Sequence, residues 1–238
     1  LVKINKKKLS DNDIKLLLDS ISRKTYSDNE KVNNINEFNN HPDLQKIKKI
    51  TLSNTQIKDL KFLEKAENLE SLELFNITFE NISHVSNLYK LEELAISNLN
   101  ISDISFIRNL VNIEELLITN TSVQDISDLK NLNKLIFLCL NSNKISNISI
   151  LENLVALKEL YLENNIISCI EPIKLLKNLS WLILSNNYIE DVEPLLYMKH
   201  LKFIDIKNNP IKKISILKDS YESAIIAMNS FIKYNNEN

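Results

Sequence analysis

The chain has 238 residues, a formal net charge of −2 and a sequence pI near 6.0, so it lacks the basic excess that holds phosphate backbones, and nucleic acid is not an expected partner. Its apolar residues, 44% of the total, are spread at intervals, and no run approaches the roughly 18 to 20 residues of a membrane span. Glycine is absent, which removes the material of G-x-G-x-x-G, Walker A and G-x-S-x-G motifs; no cofactor and no enzymatic activity are expected.

The chain begins at Leu1 with no charged-then-apolar secretory segment, as expected of a processed form, and leaves the compartment open. Residues 1–45 carry two helical patterns: Ile14, Leu17, Leu18 and Ile21 behind Ser10 as N-cap, then Val32, Ile35 and Phe38 behind Ser27 and Glu30 in capping-box register. His41-Pro42 ends the second. The expectation is a helical N-terminal cap over the open end of a repeat array that begins at residue 46.

Residues 46–217 repeat with a period of 22. One apolar slot runs Ile47, Leu69, Leu91, Ile113, Leu135, Leu157, Leu179, Leu201; others start at Ile50 and Leu52 and keep the same step, giving eight copies of L-x-x-L-x-L. A second apolar set starts from Ile57, Leu60 and Leu63 and predicts about six inward side chains per repeat. So short a repeat leaves little chain for the outer side, so 3₁₀ turns are expected there, with Pro172 and Pro194 at their starts. Residues 218–238 form a C-terminal cap and tail, with Tyr221, Ile225, Met228 and Ile232 at helical spacing.

The copies Ile101-Ser102-Asp103-Ile104-Ser105, Val123-Gln124-Asp125-Ile126-Ser127 and Ile145-Ser146-Asn147-Ile148-Ser149, with Asn-Leu before each strand, resemble internalin-type bacterial leucine-rich repeats; the eukaryotic SDS22-like class is similar. The resemblance implies an α/β leucine-rich repeat solenoid: a curved right-handed coil with a parallel sheet on its concave side and 3₁₀ turns on its convex side. It also implies an asparagine whose side chain bonds backbone between coils. Asn143, Asn165, Asn187 and Asn209 fill that slot, whereas the first four repeats hold Thr55, Ile77, Leu99 and Thr121, each preceded by an asparagine. Internalins carry an immunoglobulin-like domain after the repeats; here a helix-like segment takes that place.

Alternation along a strand points the letters between the leucines to the concave surface. Leu117, Cys139, Tyr161 and Ile183 form one such row, Phe137, Trp181 and Phe203 flank it, and Glu115, Glu159, Glu163 and Asp205 border it. Together they predict an exposed apolar patch of several hundred Å², and with it a protein or peptide partner for a monomeric binding module. Two other readings stand beside this one: a passive surface or secreted element of a larger protein, and an intracellular regulator that docks on a phosphatase or other enzyme. His41, His84 and His200 form no metal spacing, and no base stands beside Cys139.

Overall fold

Each L-x-x-L-x-L copy places two aliphatic residues two positions apart, and in extended backbone both point to one side. The structure, a computed structural model, describes residues 44–54, 56–57, 59–213, 217 and 225–227. Every copy is a strand: β1 (Lys49–Ser53), β2 (Ser71–Phe75), β3 (Glu93–Ser97), β4 (Glu115–Thr119), β5 (Phe137–Cys139), β6 (Glu159–Tyr161), β7 (Trp181–Ile183) and β8 (Phe203–Asp205), followed by β9 (Ile225–Ala227). All pair in parallel and in sequence order, as in a leucine-rich repeat solenoid.

Register follows the period, so Ile50 opposes Leu72 and Leu182 opposes Ile204. A slip by one residue would turn every buried leucine outward, which holds the rungs in place. The inward slots merge into one continuous core along the repeats. A seventh slot joins the six predicted ones: Ala66, Leu88, Leu110, Leu132, Leu154, Leu176 and Met198 are all buried.

On the opposite side each repeat makes a short 3₁₀ turn, such as Ser127–Asn131 or Ser149–Asn153. The Asp or Asn before the turn starts it. Asp103 Oδ1 accepts from Ser105 N at 2.8 Å, Asp125 Oδ1 from Ser127 N at 2.8 Å and Asn147 Oδ1 from Ser149 N at 2.9 Å, an Asx turn that mimics backbone. Hydrogen bonds from the backbone and then the side chain of Ser127 hold the Asp125 carboxyl below the usual carboxylate range. Pro172 and Pro194 occupy turn starts, as predicted.

The sharp bend after each strand needs a left-handed residue, and this chain has no glycine to supply it. Asn54, Asn76, Asn98, Asn120, Asn164, Asn186 and Asn208 take φ values between 49° and 59°, and Ser142 takes 56°. Asparagine tolerates that region better than other side chains. From Asn54 to Asn186 each of these residues donates its N–H to a carbonyl of the next coil at 2.8–3.2 Å.

One residue later lies the asparagine ladder. Asn143, Asn165 and Asn187 are buried, and the Nδ2 of each donates to three carbonyls, one of them in the preceding coil. Thr121 joins the ladder through a hydroxyl donated to Asn143 Oδ1. Ile77 and Leu99 make no such bonds; both lie in the core, and the strands of this half run five residues against three in β5 to β8. There the backbone pairs with itself: Ile57 N donates to Thr78 O at 2.9 Å, beside a parallel bridge between Gln56 and Thr78.

The ends depart from expectation. The predicted N-terminal helices lie outside the described residues, which open on a single 3₁₀ turn at Leu44–Lys46. At the other end the predicted helix meets a strand: β9 pairs with β8, placing Ile226 opposite Ile204. The reason is the period itself, because Ile226 stands 22 residues after Ile204 and adds a ninth rung. The remainder of the predicted C-terminal cap lies outside the described residues.

Candidate functional site: the open face of the sheet

The strand register lines up two rows of side chains on the face turned away from the core. The first runs Lys49, Ser71, Glu93, Glu115, Phe137, Glu159, Trp181, Phe203; the second runs Thr51, Glu73, Ala95, Leu117, Cys139, Tyr161, Ile183, Asp205. Neighbours in a row stand about 4.8 Å apart, the spacing of paired strands. Every predicted partner-binding residue is in these rows except Glu163, which lies two positions after Tyr161 on the same face.

The rows differ from the predicted exposed patch. Leu117, Cys139, Tyr161 and Ile183 retain only 5%, 2%, 8% and 1% of their surface and form a second apolar cluster, separate from the main core. In-register stacking covers each side chain from both flanking strands. The aromatic rings of the first row cover them further: Phe137 and Tyr161 have ring centroids 5.2 Å apart, and Trp181 stacks on Phe203 at 4.2 Å with 14° between planes. What solvent meets is the half-buried outer layer of Phe137, Trp181 and Phe203.

The acidic border separates into two kinds. Asp205 is buried, accepts from Lys207 N at 3.1 Å and has Lys207 Nζ at 3.6 Å; Glu163 is half-buried and takes Asn186 Nδ2 at 3.2 Å. These two serve the fold. Glu115 stands exposed, and Glu159 is half-buried, receiving the Tyr161 hydroxyl at 2.9 Å. Partial burial first, then the neighbouring charges of Glu93, Glu159 and Glu114, raises the Glu115 carboxyl above its ordinary range. Burial, followed by the charge and bond of Glu159, likewise pushes the Tyr161 hydroxyl up.

Sequence reasoning missed a polar cluster at the other end of the face. Glu73, buried, pairs with Lys49 and accepts from Thr51 Oγ1 at 2.8 Å. Opposite charges two residues out of phase with the period, Lys49 and Glu73, were its only signal.

The comparisons with known proteins agree with this architecture. A family model described as leucine-rich repeats, two copies, matches residues 133–175 and 177–219. The internalin InlF of Listeria monocytogenes superposes with a TM-score of 0.64 at 27% identity, over 77% of this chain and 61% of its own. Internalin C2 of the same organism gives 0.71 at 28% identity, over 79% and 83%. The chain is an internalin-like leucine-rich repeat protein. A leucine-rich repeat protein of Leptospira interrogans shares the fold at 22% identity and a TM-score of 0.62, over 72% of this chain and 52% of its own. No curated protein sequence matches the chain.

Among the described residues no three His, Cys, Asp or Glu side chains gather to hold a metal ion, and no helix is long and apolar enough to cross a membrane. Burial pushes the Cys139 thiol up to about 12, so it carries almost no thiolate at neutral pH. Cys169 is exposed, at the position where other repeats carry the Asx-turn residue. Treating the native protein with iodoacetamide near pH 8 is therefore expected to alkylate Cys169 alone, with Cys139 reacting only after denaturation; peptide mass mapping reads the result.

Proposed function

We propose that the protein is a monomeric binding module that holds a protein or peptide partner on the open face of its sheet, with Phe137, Trp181 and Phe203 as apolar anchors and Glu115 and Glu159 at their edge. Leucine-rich repeats of this kind suggest a protein-interaction module, and the pair of half-buried rings of Trp181 and Phe203, stacked 4.2 Å apart, carries the specific reading. A tryptophan and a phenylalanine held rigid by stacking and by a packed layer beneath them lose little entropy when a partner covers them. Leu117, Cys139, Tyr161 and Ile183 act as the floor that holds the anchors and make no contact of their own.

The chain spans 61% of the length of the InlF structure. Affinity capture followed by mass spectrometry tests the assignment, comparing the native chain with a Phe137→Ala/Trp181→Ala variant whose unfolding midpoint has been checked. Proteins held by the native chain are expected to be lost from the variant. An unchanged set of captured proteins would falsify the anchor assignment.

A further inference from the structure

The first row of the open face contains three carboxylates that the fold leaves without a cation. Glu73 has Lys49 and Asp205 has Lys207, whereas Glu93, Glu115 and Glu159 make no ion pair among the described residues. Glu93 and Glu115 are register partners on β3 and β4, and Phe137 stands between Glu115 and Glu159. The Tyr161 hydroxyl fixes Glu159 at 2.9 Å, and the Tyr161 ring packs beside Phe137. An aromatic face flanked by two carboxylates is suited to a cationic side chain, which gains from ring and charges together.

A second observation falls in the same row. Among the described residues, the buried side-chain polar atoms without a hydrogen-bond partner are Ser71 Oγ and Trp181 Nε1, and both belong to it. Ser71 retains 6% of its surface. Buried polar atoms are almost always paired in folded proteins, so this row is where the fold leaves polar groups unsatisfied, although both atoms are closed to solvent. Five strand steps separate Ser71 from Trp181, about 24 Å, the reach of roughly seven residues of extended chain.

We infer that this row binds an extended, basic segment of a partner protein, placing a lysine or arginine side chain over Phe137 between Glu115 and Glu159. The inference rests on the open face being the docking surface. Charge complementarity selects the occupant: an acidic segment would meet three unpaired carboxylates, and a purely apolar one would leave them facing it unpaired.

Panning a displayed library of random peptides of about seven residues on the full chain tests it, followed by titration of the best binder against Trp181 fluorescence. Trp181 is the sole tryptophan, so its emission reports this row alone. Enriched peptides are expected to carry Lys or Arg among apolar residues. Glu115→Gln/Glu159→Gln should weaken the best binder about tenfold or more and flatten its salt dependence, with the unfolding midpoint retained. Enrichment of peptides that shift Trp181 emission but lack a basic residue, or that bind the double glutamine variant unchanged, overturns the cation site and leaves the docking face standing. No enrichment, or peptides that never perturb Trp181, overturns both.

Discussion

Asn165→Ala is expected to lower the unfolding free energy by about 2–4 kcal/mol, far beyond what a surface asparagine contributes. The side chain is buried at 5% exposure, and its Nδ2 donates to Leu140 O at 3.0 Å, Leu162 O at 3.1 Å and Glu163 O at 3.3 Å. Its Oδ1 accepts from Ile145 N at 3.0 Å. Truncation takes from a buried N–H and three buried carbonyls the partner that the side chain gave them. Asn165→Asp should do no better, because it keeps the acceptor for Ile145 but turns a negative charge on three carbonyl oxygens. The control is the preceding residue: Asn164 is exposed and left-handed at φ 55°, so Asn164→Ala should cost only about 1 kcal/mol for its conformation. Urea denaturation of the three variants makes the comparison. Equal losses for Asn164→Ala and Asn165→Ala would mean that the ladder contributes nothing beyond the turn.

That one-residue distinction also shows where sequence reading stopped. The 22-residue period gives the strands, their order and the inward slots, because each slot recurs in a residue type that belongs in a core. Asparagine does two jobs one position apart, and letters alone do not separate them. In Asn164-Asn165, Asn186-Asn187 and Asn208-Asn209 the first bends the chain and the second carries the side-chain bonds to the carbonyls between coils. Asn76 and Asn98 bend the chain and join neighbouring coils side chain to side chain, Asn76 Nδ2 donating to Asn54 Oδ1 at 2.8 Å and Asn98 Oδ1 accepting from Asn120 Nδ2; the buried slot beside them is filled by Ile77 and Leu99, which pack in the core. The helical spacing of Tyr221, Ile225 and Met228 competed with the period at the C-terminus, and at 225–227 the period prevailed because β8 offered an open edge.

Depth was the other quantity that alternation could not supply. Outward direction follows from strand geometry, but whether an outward side chain meets solvent depends on the size of its neighbours across the strands, and here Phe137, Trp181 and Phe203 cover the row beside them.

Ile183→Ala puts this second core to the test, and the expected loss is about 2–4 kcal/mol, the cost of truncating a buried aliphatic side chain. Ile183 faces away from the main core yet keeps 1% of its surface, packed among Tyr161, Trp181 and Phe203 in one cluster. Were the open face a solvated surface, the same truncation would change stability by no more than about 0.5 kcal/mol. Ile166→Ala supplies that benchmark, since Ile166 remains 47% exposed. Ile183→Val should fall between the two, at about 1 kcal/mol, because it removes one methyl group and leaves a smaller cavity. The consequence for binding separates the floor from the anchors. Loss of Ile183 loosens the layer under the stacked rings of Trp181 and Phe203, so partner affinity should fall together with stability, whereas Trp181→Ala should remove affinity at a smaller cost to the fold. Thermal unfolding paired with the capture assay resolves the two effects, and a stable Ile183→Ala chain would show that the open face needs no packed floor.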